Sequence, residues 1–352
     1  MSEARNSRRD FLKAASAVAA AGPLASQAVA KTSPKILNYN SKMGYRPLGR
    51  TGFMISEIAL GGHGAAKGED PVQNRRAVLE RAVELGMNYV DNNIVEECNL
   101  YGKAMAGSQS AGRNKWFIGF GSWPEKLTEE YEAQLTPDAM MRTIEDRLRS
   151  YNTDMLDMWR PVGATWGKGQ TNIATLLMVT PKALDMVVEV FEKAKKQGKV
   201  RFLGISAHNP KVFRRVLHDY PQFSVIIFPY LFLTKELDGD SLLKLAAKKH
   251  VGVIGLKPFG AGTTFNLKPR QITGRVDPRA PILLREMLRE KRVSAVIPGV
   301  NFPDQLAENV KGSYERHNAM TAHEERALVS CRANFHANLT PEYQWLHHWE
   351  EV

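Results

Sequence analysis

Residues 182–206 read KALDMVVEVFEKAKKQGKVRFLGIS. An amphipathic helical pattern over Lys182–Gln197 gives way, past Gly198, to an apolar strand over Val200–Ile205. That change of hydrophobic period, from 3.6 to continuous, marks a helix feeding a buried strand. Outward from this unit the same alternation runs from residue 55 to 311. Strands are expected at Ile58–Gly61, Asn88–Asp91, Trp116–Phe120, Met155–Trp159, Val200–Ile205, Val225–Phe228, Val253–Leu256 and Ala295–Ile297. Helical patterns fill the intervals: Asn74–Leu85, Leu100–Ala106, Pro137–Arg149, Lys182–Gln197, Pro210–His218, Asp240–Lys249, Pro281–Lys291 and Pro303–Lys311. Pro137, Pro210 and Pro303 stand where a helix opens, the position proline tolerates best. Strands this uniformly apolar have no wet face, so eight strand–helix pairs predict an α/β fold of the (β/α)8 TIM-barrel type. A doubly wound open sheet is the competitor. It would carry a glycine-rich dinucleotide fingerprint after its first strand, and Leu60-Gly61-Gly62-His63-Gly64 has the wrong spacing.

Two long loops, Arg160–Pro181 and Gly260–Pro278, follow strands and therefore belong to the C-terminal face, where barrels bind ligands. Beyond Gly312 the alternation stops, and a helical, His-rich extension carries His317, His323, His336, His347 and His348. Those histidines have no tight metal-ligand spacing, and no metal site is assigned from them.

The first thirty residues are a different kind of segment. Ser7-Arg8-Arg9-Asp10-Phe11-Leu12-Lys13 is a twin-arginine export motif, followed by the weakly apolar Ala14–Ala21 and an Ala28-Val29-Ala30 cleavage pattern. The mature chain is expected to start near Lys31 and to reach an extracytoplasmic, periplasmic location through the twin-arginine machinery. Gly22, Pro23, Ser26 and Gln27 interrupt the apolar run, which falls short of the ~20 residues of a span, so no stable membrane anchor is expected. Net charge is +11, of which +9 lies beyond the signal. An excess of that size favours anionic ligands. The basic residues are scattered in short helical runs such as Lys193–Lys199 and Arg285–Arg292, mixed with acids and without interleaved aromatics, so nucleic-acid binding is not expected. Cys98 and Cys331 are too few for a disulfide scaffold or a Cys-rich metal cluster. One bridge between them is open in an oxidising compartment, and two free thiols are the plainer expectation.

Four stretches in order resemble the aldo-keto reductase superfamily over almost the whole mature length. Tyr45-Arg46-Pro47-Leu48-Gly49-Arg50-Thr51-Gly52 resembles the β-hairpin that plugs the barrel bottom in that family. Ala82–Asp91 is similar to the helix and strand leading to its catalytic Asp, and Gly198–Ser206 to its fifth strand. Ile297-Pro298-Gly299 with Gln305, Glu308 and Asn309 is similar to its nucleotide-phosphate segment. The domain reading is a signal over 1–30, a linker over 31–44, the barrel over 45–312, and a C-terminal extension packed on it over 313–352. The resemblance implies hydride transfer from a nicotinamide, NADP(H), to a carbonyl whose oxygen takes a proton from a Tyr. A Lys and an Asp assist that Tyr, and a His orients the small-molecule substrate.

Carried over position by position, only the Asp survives, as Asp91. The Tyr position holds Glu96, the Lys position Gly121, and the His position Val162, just past Arg160. Tyr101 sits in the following helix and is not promoted. The cofactor positions keep more of the pattern. Ser206 falls at the carboxamide contact, with Ala207 where Asn is usual, and Tyr230 at the aromatic that stacks on the nicotinamide. Lys257 and Phe259 fall near the pyrophosphate, while Gly299, Asn301, Gln305 and Asn309 frame the adenosine phosphate. The helix opening after Asn301 and Phe302 is expected to offer free N–H groups to an anion.

Three functions are compatible with this set. The first is a nicotinamide-dependent oxidoreductase in which Glu96 moves the proton, beside Asp91, with Arg160 or His208 orienting substrate. That role needs burial or Asp91 to raise the Glu96 carboxyl. The second is a metal-assisted lyase or isomerase using His63, Glu96, Glu97 and His208. The third is a non-catalytic nucleotide-binding barrel.

Overall fold

The computed structural model describes residues 36–61, 67–122, 136–163, 181–265 and 277–352. His63, residues 164–180 and residues 266–276 lie outside the described residues, as do the export motif and residues 31–35 of the proposed linker.

The fold is an eight-stranded parallel barrel. Its strands are β3 (Leu60–Gly61), β4 (Tyr89–Asn92), β5 (Phe117–Ser122), β6 (Leu156–Gly163), β7 (Val200–Ala207), β8 (Phe223–Pro229), β9 (Gly252–Leu256) and β10 (Ala295–Ile297), hydrogen-bonded in chain order. The two edges meet just before β3. Ile58 bridges Val296 in parallel, and Ala59 N–H donates to the Val296 carbonyl at 2.9 Å.

Strand alternation separates an interior from an exterior. Tyr89, Phe117, Met158, Val225, Ile227, Ile254, Ala295 and Ile297 pack with one another inside the barrel. Their neighbours Val90, Ile118, Trp159, Ile226, Val253 and Val296 face the helices. Side chains two residues further along an inward-facing series share the same side of the strand. Asp91 follows Tyr89, Gly121 follows Phe117 and Gly119, and Arg160 follows Met158. These residues therefore form the layer nearest the C-terminal mouth.

The N-terminal end is closed by a hairpin of β1 (Tyr45–Pro47) and β2 (Met54–Ser56), paired antiparallel with Tyr45 opposite Ser56. Gly49, at φ +51°, presses against β9, where a Cβ would stand 2.2 Å from the Gly252 nitrogen. Only glycine fits both the left-handed backbone and the close approach. Arg46 anchors the hairpin: it pairs with buried Glu57 at 2.7 Å and donates to the carbonyls of Leu288, Glu290 and Val293 at 2.5–2.7 Å. Ser313 closes the network through a 2.7 Å hydrogen bond to Glu57.

Around the barrel run α1 (Pro71–Glu84), α2 (Val95–Ala106), α3 (Pro137–Ser150), α4 (Pro181–Lys196), α5 (Pro210–Asp219), α6 (Leu242–Lys248), α7 (Ala280–Met287) and α8 (Pro303–Asn309). Asp70, Thr136, Asn209 and Ser241 cap four of them through their side chains. The largest departure from the sequence reading is α2, which begins five residues before the expected Leu100. Its first turn is polar, and apolar spacing does not register it. The start is fixed by the Glu97 carboxylate, which accepts the N–H groups of Asn93 at 2.7 Å and Ile94 at 3.5 Å.

After α8 come α9 (Lys311–Tyr314), α10 (Ala322–Asn338) and a 3₁₀ segment, Pro341–Trp349. The last residues hydrogen-bond to the loop after β8. Lys235 N–H donates to Glu350 at 2.7 Å, and Leu237 N–H to Val352 at 2.8 Å. Trp349 stacks on Phe228, with ring centroids 5.1 Å apart. At the other terminus, residues 36–44 are pinned rather than trailing: the Asn38 amide donates to the carbonyls of Met87 and Lys115 at 2.7 and 2.9 Å. Cys98 and Cys331 are both buried free thiols.

Candidate active site

At the mouth, Arg160 and Asp91 form a buried ion pair. The guanidinium meets the carboxylate with two N–H groups, at 3.1 and 2.6 Å. It also donates to the Ser206 hydroxyl at 2.6 Å and to the Asn92 carbonyl at 3.3 Å. Both partners are almost wholly shielded, with side-chain exposures of 3% and 6%. A bidentate Arg–carboxylate pair is rigid and directional, and removing one partner of a buried pair strands the other's charge. Burial pushes the Asp91 carboxyl up, while Arg160 and the Tyr89 hydroxyl, which donates to it at 3.2 Å, pull it down.

The placement explains the missing lysine. Gly121, at the family's Lys position, pairs across the sheet with Arg160. Gly121 has no side chain and the Asn93 side chain fills the space above it, with a Cβ there only 2.4 Å from Asn93 Oδ1. The cation beside Asp91 therefore comes from the next strand instead of the same site on β5. The oxidoreductase reading of the sequence assigns Arg160 or His208 to orienting substrate. The actual neighbours of Arg160 make it first the partner of Asp91.

The other expected site residues divide into two groups. Ser206 is at the mouth, held by Arg160. Lys257 follows β9 in a left-handed backbone, φ +52°, with its ammonium 6.0 Å from the ring centroids of both Tyr343 and Trp345. Burial lowers it to about 8, and the Glu97 charge offsets part of that. His208, after β7, stacks on Trp345 at 3.7 Å between centroids. The C-terminal 3₁₀ segment thus lies against two of the predicted ligand-facing residues. No local pattern in the sequence signals that contact, because the segment is distant in the chain.

Glu96 differs from its expected role. It is exposed on the first turn of α2, so the burial on which a protonated carboxyl would depend is not provided. The buried carboxylate is its neighbour Glu97, already committed to backbone N–H groups. Tyr101 is also occupied: its hydroxyl donates to the Gly61 carbonyl at 2.8 Å and accepts from Arg75 at 3.1 Å. Val162, expected in the loop after Met155–Trp159, is on β6, which runs on to Gly163.

On the nucleotide side, the free N–H groups expected after Asn301 are not free. Gln305 Oε1 accepts from Asn301 N at 2.7 Å and from Phe302 N at 3.2 Å. Asn301, Gln305 and Asn309 are buried as part of that turn. Tyr230 is buried against Phe228, and Phe259 packs on Phe265. Gly299 is exposed, and a Cβ there would meet nothing within 4 Å, so a ligand can approach its backbone closely. Residues 299–309 carry Asp304 and Glu308 and neither Lys nor Arg.

Whether the mouth suits a nicotinamide nucleotide is tested by its unsatisfied polar atoms. Asn93 Oδ1, just past β4, and Thr264 Oγ1, in the loop after β9, are buried without a hydrogen-bond partner, whereas Asn92, whose amide oxygen accepts from the Tyr151 hydroxyl, faces the helices. Native interiors leave few such atoms, each costing about 1–3 kcal/mol. Together with the desolvated Lys257 and the open Gly299 they fit a polar, anionic ligand lying from β4 across to β9 and β10. Thr264 was missed in the sequence because nothing in its local pattern distinguishes it. Among the described residues, Glu96, Glu97 and His208 do not converge as metal ligands.

Comparison with known proteins follows the same line. Residues 57–279 match the aldo/keto reductase family model, and residues 5–24 match the twin-arginine translocation pathway signal sequence. The chain is 23% identical over 322 residues to the uncharacterized oxidoreductase YqkF of Bacillus subtilis, covering 81% of this chain and 95% of that one. It is 23% identical over 303 residues to L-galactose dehydrogenase of Arabidopsis thaliana, covering 77% and 88%. Against L-glyceraldehyde 3-phosphate reductase of Escherichia coli it is 22% identical over 327 residues, covering 77% and 87%. The holo form of an aldo-keto reductase from Bacillus halodurans superposes with a TM-score of 0.60 at 21% identity, covering 82% of this chain and 96% of that one.

Proposed function

This chain belongs to the aldo/keto reductase family, and from that membership we propose that it is an exported, nicotinamide-dependent oxidoreductase for a small hydroxylated carbonyl or alcohol. The observation that carries the reading is the buried Asp91–Arg160 pair at the mouth, which restores a cation beside the family's Asp although the Lys position is glycine. Family membership supports oxidoreductase chemistry in general. Lys257, Thr264 and Gly299 would hold the phosphates, and Ser206 and Tyr230 the nicotinamide end. When bound, the nucleotide supplies the hydride exchanged with the substrate's carbonyl carbon. NADP(H) is the form the resemblance implies. Asp304 and Glu308, with no basic residue in 299–309, weigh against a 2′-phosphate there, so retention of NADPH and NADH is to be compared directly. The relatives named for a sugar and for a three-carbon aldehyde phosphate suggest hydroxyaldehydes as the first substrate panel. Location after export is proposed to be periplasmic.

The protein's own task is the proton at the substrate oxygen. Arg160 cannot supply it, since a guanidinium stays protonated throughout the working range. Glu96 is the residue assigned by position, acting from the rim with His208 orienting substrate. Lys257 is the second reading, favoured by its lowered value of about 8, near the optimum for a general acid at neutral pH. Two variants decide between them. If Glu96 carries the proton, Glu96→Gln lowers kcat by about 10²–10⁴ and leaves nucleotide affinity intact. Unchanged kcat in Glu96→Gln with a comparable loss in Lys257→Met, measured at saturating nucleotide with its affinity unchanged, transfers the role to Lys257. No effect in either removes both.

A further inference from the structure

We propose that His336, His347 and Glu350 form a divalent transition-metal site, suited to zinc, that staples the C-terminal segment to the end of α10. The ligand atoms of these three residues lie within 4.8 Å of one another, and among the described residues they are the grouping of metal-ligating type that the fold brings together. His347 Nδ1 is 2.5 Å from Glu350 Oε1, and His336 Nδ1 is 3.9 Å from the same oxygen. The two imidazoles lie nearly parallel, 15° apart with centroids 5.8 Å apart.

The backbone builds this arrangement by two independent devices. His347 and Glu350 are three residues apart at the end of a 3₁₀ segment, whose side chains eclipse at that spacing. His336 occupies the last turn of α10, and the short link through Leu339 and Thr340 folds the 3₁₀ segment back beside it. Closing so short a loop costs little entropy. Phe335 lies edge-on to both imidazoles, at 5.5 and 6.2 Å, and limits their rotation. Its own ring is buried against Gly260, where a Cβ would come within 2.6 Å of it.

The donor set selects the metal. Two imidazole nitrogens and one carboxylate oxygen suit zinc and its first-row neighbours, whereas magnesium and calcium call for oxygen ligands alone. Tetrahedral zinc with bonds near 2.0–2.1 Å places its ligand atoms about 3.3 Å apart. The separations of 2.5 and 3.9 Å bracket that value, and the two histidines are exposed enough to adjust by less than about 1 Å. Three protein ligands leave the fourth position to water. The site grips the segment whose Tyr343 and Trp345 flank Lys257 and whose Trp345 stacks on His208.

The test uses untagged, chelator-washed mature protein, residues 31–352, titrated with zinc chloride by calorimetry. One zinc per chain is expected, and His336→Ala and His347→Ala should each weaken it at least about 100-fold, beyond the loss of an outer-shell partner. His348→Ala, an exposed neighbour outside the grouping, should bind as the unsubstituted chain does. Zinc should also slow proteolysis within 341–352 in the unsubstituted chain and not in His336→Ala. Absence of binding, binding indifferent to His336→Ala, or an equal loss in His348→Ala overturns the site. Neither readout depends on turnover, so the result stands apart from the oxidoreductase assignment.

Discussion

At the scale of single residues, the mouth is governed by two buried charges with different neighbours. Asp91 has a bidentate partner, and removing that partner strands its charge. Arg160→Met should therefore destabilise the fold by about 3–5 kcal/mol, and Asp91→Asn on the same background should recover part of the loss. Urea unfolding of the two single variants and the double variant measures it. A double variant as unstable as the sum would show that the pair is not coupled. Lys257 is held near 8 by burial, against 10.5 in an unfolded chain. Between those values the unfolded chain binds more protons, so the lysine's contribution to stability grows as pH rises from about 8 to 10.5 and is lost as pH falls back through 8. Lys257→Met removes that slope and should raise stability most at neutral pH, where the unsubstituted chain buries a charge. Thermal midpoints from pH 7 to 10.5 test the sign. A midpoint lowered by the substitution at pH 7 would mean that the ammonium has a partner strong enough to outweigh its desolvation.

At the scale of elements, the hairpin plug and the C-terminal segment close opposite ends of the barrel. The plug depends on Arg46 and Glu57, paired at 2.7 Å with exposures of 9% and 4%. Glu57→Gln leaves the Arg46 charge with carbonyl acceptors alone and should cost about 3–5 kcal/mol, read as a shift in urea midpoint at constant slope. The plug's residues 45–52 were legible because they are contiguous and carry a family pattern. The eight strands were legible because each is a short apolar run, and strand alternation then determined which residues share the mouth. The helix starts were not all legible. Glu97 opens α2 with a carboxylate–backbone bond that has no hydrophobic period, and the shift moved Glu96 from a loop to a helix rim. The Arg160–Asp91 pair is likewise invisible in the chain, since it joins positions 69 residues apart through the order of β4, β5 and β6. Trp345 over His208 is a longer-range case of the same kind. Replacing Trp345 with Ala should open that corner. Nucleotide association should accelerate severalfold if the 3₁₀ segment covers the ligand, and stay unchanged if it only buttresses the loop.

At the scale of the whole molecule, the two family matches impose a constraint on each other. A twin-arginine signal delivers a folded chain, so the nicotinamide nucleotide proposed for this aldo/keto reductase would have to be bound before export or met after it. The buried unpaired atoms Asn93 Oδ1 and Thr264 Oγ1 fit a polar ligand at the mouth, and we propose that it is bound before export and kept afterwards. A ligand bound only to the native state adds RT ln(1 + [L]/Kd) to stability, about 4 kcal/mol at a thousandfold excess over Kd, and so helps the chain remain folded during transit. The expected outcome is a stoichiometric nicotinamide nucleotide released by denaturation from both cytoplasmic and periplasmic preparations of residues 31–352. Arg8→Lys with Arg9→Lys should hold the chain in the cytoplasm with its nucleotide unchanged, because the motif lies outside the barrel. Nucleotide in the cytoplasmic sample alone would mean that the ligand is shed on export and must be met again outside. An empty pocket in both, with no binding of added NADPH or NADH, would leave the Asp91–Arg160 mouth serving a different ligand.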